Sequence, residues 1–163
     1  MAVEPQTRFA EGYEKFRPRT TFVPLFVSDV SNQTATLYVP KTRHRVASVS
    51  KEFASSFDDD VVPTPTRTST LDDILDRLGI KQIDFLNMDI ELAEPQGLAG
   101  FSINRFQPSL VCIEGHLAVR ERILEYFARH GYVLVGRYIR VDGDNFWFAP
   151  LGSVKDDPAL AGK

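Results

Sequence analysis

The stretch at residues 83–95, IDFLNMDIELAEP, constrains this chain more than any other. It opens on apolar residues (Ile83, Phe85, Leu86, Met88, Ile90) and closes on acids (Asp89, Glu91, Glu94). Nearly continuous apolar character over so short a run predicts a strand buried on both faces, and such strands belong to parallel sheets covered by helices. In open α/β sheets ligands sit at the carboxyl ends of the strands. A strand that delivers carboxylates to that end marks a candidate site. The same acids would also suit the first turn of a following helix, where they complement its dipole, so the stretch alone leaves both readings open.

The flanking chain supplies more of the same pattern. Residues 2–4 read as the end of a strand, with Glu4 at its tip and Pro5 forcing the exit. Residues 7–16 place Phe9, Ala10, Tyr13 and Phe16 at helical spacing behind Thr7 as N-cap. The run TTFVPLFV at 20–27 predicts a strand with a bulge or edge position at Pro24, and Ser28 and Asp29 follow it directly. TATLYV at 34–39 alternates cleanly and is expected to pair with it as a hairpin. Residues 41–65 are polar, hold Arg43, His44 and Arg45, and predict a long surface excursion with a short extended piece between Pro63 and Pro65.

Thr70 caps a helix that Gly79 closes. The strand at 83–90 follows, then a helix at 94–100 with Pro95 in its first turn and a connector at 101–108. A second apolar strand, SLVCIE at 109–114, ends in Glu114, Gly115 and His116. A helix at 118–130 stops at Gly131, and strands at 132–138 and 145–149 form a closing hairpin around Asp142-Gly143-Asp144. This strand–helix alternation predicts an α/β fold: a mostly parallel sheet with right-handed crossovers and an antiparallel C-terminal hairpin. One domain is expected over 1–151, with a polar, fraying tail at 152–163. Four strand ends carry acids: Glu4, Asp29, Asp89 with Glu91, and Glu114. Parallel strand ends share one edge, so these acids are expected to converge.

Composition narrows the function. A net charge of −3 argues against a general nucleic-acid or anionic-membrane binder. The single cysteine, Cys112, excludes an intramolecular disulfide and a cysteine-rich zinc site, and its apolar setting predicts a buried small hydrophobe. The chain has no apolar run of about 18 residues, and its first residues lack the layout of a signal peptide. A cytoplasmic location is the expectation.

Taken together, TLDDILDRLGI, KQIDFLNMDIELAEPQGLAGF, RFQPSLVCIEGH, RILEYFARHGYVLVGRY and NFWFAP resemble the FkbM-type family of S-adenosylmethionine-dependent methyltransferases. AVEPQTRF, FVSDVSNQTATLYV and ASVS resemble the family's upstream segments, so the resemblance covers nearly the whole chain. It implies a class I, Rossmann-like methyltransferase sheet and S-adenosylmethionine as cofactor. It places Glu4 on the ribose hydroxyls, Ser28 and Asp29 near the adenine, and Asp89 and Glu91 facing the methyl donor and acceptor. Glu94 matches the family's second glutamate, and Glu114 with His116 the end of the fifth strand.

The sequence departs from the family in three places. Asn87 stands where the family has lysine, and Leu92 stands where it has glycine. Leucine does not suit a strained position, so the loop is expected to take another path. No glycine-rich turn precedes Glu4, so the sheet is expected to lack its first strand and the chain to be partial.

Catalytic candidates are Asp89, Glu91 and His116, with His116 the first choice as base because its ordinary pKa lies near neutrality. A single histidine at a helix start is equally an idle polar residue. A divalent metal on Asp89, Glu91 and Glu114 is an option that nothing in the sequence demands, so no metal is expected. The expected partner is a small-molecule or glycan acceptor, with O-methylation the expected reaction. A homo-oligomer through the exposed sheet edge is a further expectation. The alternative is a truncated, non-catalytic binding module.

Overall fold

The structure, a computed structural model, describes residues 1–155. Strand β1 (Ala2–Val3) leads through a 3-10 turn (Thr7–Phe9) into helix α1 (Ala10–Phe16). The chain returns as β2 (Phe22–Val23), which pairs with β1 in parallel. Tyr13 of α1 packs on Phe22, with ring centroids 5.1 Å apart. Pro24 splits the expected strand in two, and β3 (Phe26–Val27) follows it.

Strand β4 (Thr34–Pro40) does not form the expected hairpin with β3. Both pair instead with β5 (Val61–Ser69), β3 in parallel and β4 antiparallel. The long surface excursion is therefore shorter than its sequence suggests. It holds a 3-10 turn (His44–Val46) and helix α2 (Lys51–Ser55), and from Val61 on it is strand.

Prolines 63 and 65 hide β5 in the sequence, and backbone alternation explains why the strand tolerates them. Thr68 exchanges backbone hydrogen bonds with the segment leading into β4, and Asp60 accepts from Lys41 just past its end. Even-numbered residues thus bond toward β4. Pro63 and Pro65 turn their donor-less nitrogens to the open side, where no ladder bond is lost.

Helix α3 (Leu71–Arg77) begins as expected at Thr70, whose Oγ1 accepts from Asp73 N–H at 3.1 Å. Strand β6 (Phe85–Met88), helices α4 (Glu94–Ala99) and α5 (Ile103–Phe106), and strand β7 (Leu110–Glu114) follow. Then come α6 (Arg120–Arg129), β8 (Tyr132–Leu134), a 3-10 turn (Gly136–Tyr138), β9 (Asn145–Pro150) and α7 (Leu151–Lys155). Part of the expected fraying tail is thus helical, and its residues 156–163 lie outside the described residues. Strands β6 and β7 are parallel, β9 lies antiparallel beside β7, and β8 pairs on the far side of β9.

The main core lies on the face shared by Met88, Val111, Ile113 and Phe148, against α3, α4 and α6. Phe127 of α6 stacks on Phe148 with centroids 4.0 Å apart. Trp147 points to the opposite face, where Phe85 and Tyr138 cover it. Cys112 is buried, and burial pushes its thiol up to about 11.

The expected single sheet is divided into three, of two, three and four strands. A cavity of about 1080 Å³ separates β1 from β6 and is bordered by both. Ala2 and Glu4 direct their N–H groups to the β2 side, so Val3 faces the cavity. Leu110 N–H bonds Asp84, so the backbones of Phe85 and Asn87 also face it. The two parallel strands never meet, and this is why one continuous methyltransferase sheet is not seen.

Close approach between layers depends on Gly100, at the end of α4. A Cβ there would overlap the carbonyl oxygen of Ser28 and crowd Thr70. A Cβ on Gly97 would meet only side-chain ends, Ile90 Cδ1 at 3.0 Å and Val27 Cγ1 at 3.2 Å, which can move. Gly100→Ala is therefore expected to lower stability by about 1–3 kcal/mol in urea unfolding, with Gly97→Ala costing less. The reverse order would contradict this packing.

Candidate active site

Beyond Met88 the chain leaves β6 through Asp89 and Ile90 and makes a tight turn. Glu91 and Leu92 both adopt left-handed backbone conformations, with φ of 54° and 77°. The loop does not take another path around Leu92; it keeps the conformation that glycine would favour. Each such residue costs roughly 1 kcal/mol or more. Two side chains fix the turn against that cost. Ser48 Oγ, fully buried, donates to the Glu91 carbonyl at 2.6 Å. Glu94 reaches back from the first turn of α4, and its Oε1 accepts from Ile90 N–H at 2.8 Å. Leu92 also packs against the main core.

Strands β6 and β7 lie in register, with Met88 opposite Ile113. The next residues, Asp89 and Glu114, therefore emerge side by side. Carboxylate oxygens of Asp89, Glu91 and Glu114 lie within 4.8 Å of one another. Among the described residues no ion pair joins any of the three to a cation. That spacing suits a shared proton or a single divalent cation.

Proton affinities follow from crowding without compensation. Burial, then the charges of Glu114, Asp89 and Glu94, pushes Glu91 up to about 8. Burial, then Asp89, Glu94 and Asp144, pushes Glu114 up to about 7. Burial also raises Asp89, whose carboxylate is partly shielded although the residue is solvent-facing. Glu94 is raised by burial against the opposing pull of the Ile90 N–H. One oxygen each of Glu94 and Glu114 is buried without a hydrogen-bond partner.

Glu4 stands at the end of β1 and lines the same cavity as Asp89. Its Oε1 accepts from Gln6 N–H at 2.8 Å, while burial raises its pKa. Asp29 is exposed, accepts from Ser28 Oγ at 3.0 Å, and is not among the residues lining that cavity. Its strand, β3, pairs with β5 rather than with β1. Of the four acidic strand ends expected to converge, two cluster, Asp89 with Glu91 and Glu114, while Glu4 shares only the cavity with Asp89 and Asp29 does neither. His116 lies outside the acidic group: it is exposed, and its ring meets Phe53 edge-on at 5.4 Å. Its Nδ1 accepts from Ala118 N–H at 3.2 Å. Sequence reasoning gave no role to Ser48, whose signal was only the small-residue turn ASVS. The sequence places Glu114 at a strand end, and the register of β6 with β7, which the sequence does not specify, sets it beside Asp89.

The model of the FkbM methyltransferase domain matches residues 1–134. The chain belongs to the FkbM methyltransferase family. No curated protein and no solved structure matches it. The family match runs from β1 to the end of β8 and so contains Glu4 and all three clustered acids. Among the described residues of this FkbM methyltransferase, no helix is long and apolar enough to cross a membrane.

The raised acids tie stability to pH. Unfolded Glu91 ionises near 4.5, whereas in the fold it keeps its proton to about 8. The native state binds more protons across that window, so stability falls as pH rises through it. Asp58, Asp76 and Asp142 are lowered from 3.8 by their hydrogen bonds, so they act only below that value. The melting temperature is expected to decline from about pH 5 to about pH 8, and Glu91→Gln to flatten the decline. A flat profile in the unmodified chain would contradict the assignment.

Proposed function

We propose that the chain is an S-adenosylmethionine-dependent methyltransferase acting on a hydroxyl of a sugar or other small molecule. One observation carries this reading: three carboxylates converge at adjacent parallel strand ends, two of them with proton affinities near neutrality. Such values suit proton transfer at physiological pH.

The residues at the cavity fit the cofactor. Glu4 and Asp89 place acceptor oxygens on opposite walls, and a carboxylate accepts from both hydroxyls of a ribose. Ser28 and Asp29 lie off this cavity and take no part in this reading. When bound, the cofactor supplies an electrophilic methyl group on a sulfonium.

Glu114 is the base in this reading. Its carboxylate, raised to about 7, takes the proton of the acceptor hydroxyl as the oxygen becomes nucleophilic. Glu91, which keeps its own proton to about 8, donates to the acceptor oxygen and limits the charge beside it. Asp89 orients the acceptor from the solvent side. His116 is less suited, because its Nδ1 lone pair already accepts from Ala118. Ser48 and Glu94 are positioning residues that keep the turn in place.

A second reading is favoured by the divided sheet. The open backbones of Val3, Phe85 and Asn87 suit a non-catalytic module whose edge pairs with another chain, a second copy included. Calorimetric titration with S-adenosylmethionine separates the two. The first reading predicts saturable binding that Glu4→Ala weakens at least about tenfold, equal to about 1.4 kcal/mol. An unmodified chain that binds no cofactor supports the second.

A further inference from the structure

The short basic cluster Arg43-His44-Arg45 is not used by the chemistry above, and the structure brings one member of it to the site. Arg45 lies in the His44–Val46 turn and lines the cavity that also holds Glu4 and Asp89. The turn is anchored rather than loose. Gln6 Nε2 donates to the His44 carbonyl at 3.0 Å, and His44 Nδ1 donates to the Pro40 carbonyl at 2.9 Å. Gln6 is two residues past Glu4, so this anchor puts the turn at the carboxyl end of β1. A smaller cavity of about 400 Å³ lies against the same turn, and Phe9 and Arg45 border both cavities.

Arg45 is exposed, and no ion pair, hydrogen bond or ring contact engages its guanidinium among the described residues. Arg17, the other arginine of the main cavity, instead lies over the Tyr13 ring at 5.4 Å. A planar guanidinium with no internal partner matches a carboxylate or phosphate in two-pronged fashion. The surrounding acids would repel an anion placed anywhere else along this edge. Phe9 beside it offers an apolar surface for the body of a ring.

We infer that Arg45 binds an anionic group, carboxylate or phosphate, on the methyl acceptor, which reaches from this cavity along Asp89 to the acidic group that Asp89 forms with Glu91 and Glu114. The acceptor is then a hydroxylated anion, such as a sugar acid or a sugar phosphate. This deepens the methyltransferase reading and rests on it.

Calorimetry on the full chain tests the inference, with glucuronate, glucose 6-phosphate and glucose as probes, each with and without S-adenosylmethionine. At least one anion is expected to bind about tenfold tighter than glucose. Arg45→Gln removes that preference while leaving the cofactor affinity within about twofold. Equal binding of all three probes, no binding of any, or a preference that survives Arg45→Gln overturns it. Loss of cofactor binding in Arg45→Gln also overturns it, because the anion held would then be the cofactor's own carboxylate. Failure of the methyltransferase reading has a different signature: no cofactor heat in the unmodified chain. The anion preference and its dependence on Arg45 are still read in the cofactor-free titrations.

Discussion

The burial of three mutually repelling carboxylates, Asp89, Glu91 and Glu114, is the constraint on which the site depends. The register of β6 with β7 puts Asp89 beside Glu114, and the left-handed turn swings Glu91 onto them. No cation of the described chain relieves the crowding. Burial first, and then this unrelieved crowding, raises the proton affinities until two of the groups titrate near neutrality. The surroundings resist the obvious relaxation, which is for the turn to swing away. Ser48 from the excursion donates to the Glu91 carbonyl, and Glu94 from α4 accepts from the Ile90 N–H between Asp89 and Glu91. The excursion thus supports the acidic edge from outside the sheet that carries it.

Much of this was legible in residue order. Strands β6 and β7 announce themselves as continuous apolar runs, and α3 by the Thr70 cap. The acids at the ends of β6 and β7 were placed correctly because a strand end and a shared sheet edge are local and topological facts. What escaped depends on partners far away in sequence. Strand β5 looked broken because Pro63 and Pro65 are poor sheet residues, yet both fall on the parity that needs no donor. Asp29 looked equivalent to the other acids, but β3 joins β5 and its end leads elsewhere. Leu92 looked incompatible with a left-handed turn, and the buried Ser48 that holds the turn is more than forty residues upstream.

The divided sheet and the acidic edge meet at one cavity, which Asp89 borders. Its walls are β1 and β6, and its far end holds Glu4 and Asp89. Backbone groups that a parallel sheet would pair are turned inward along these walls. Arg45 closes the carboxyl end from the side of the excursion. Acids at the strand ends and an arginine with no partner among the described residues give the cavity opposite charges at different points. A ligand with hydroxyls at one point and an anion at another complements that arrangement.

The central claim is that the clustered glutamates hold protons near neutral pH. Carbon-detected NMR titration of the glutamate side-chain carboxyls measures it directly. The account predicts two carboxyl signals with midpoints of about 7 and about 8, assigned to Glu114 and Glu91 and removed in turn by Glu114→Gln and Glu91→Gln. If every glutamate instead titrated below about pH 5, as exposed carboxylates do, the account of the site would be contradicted.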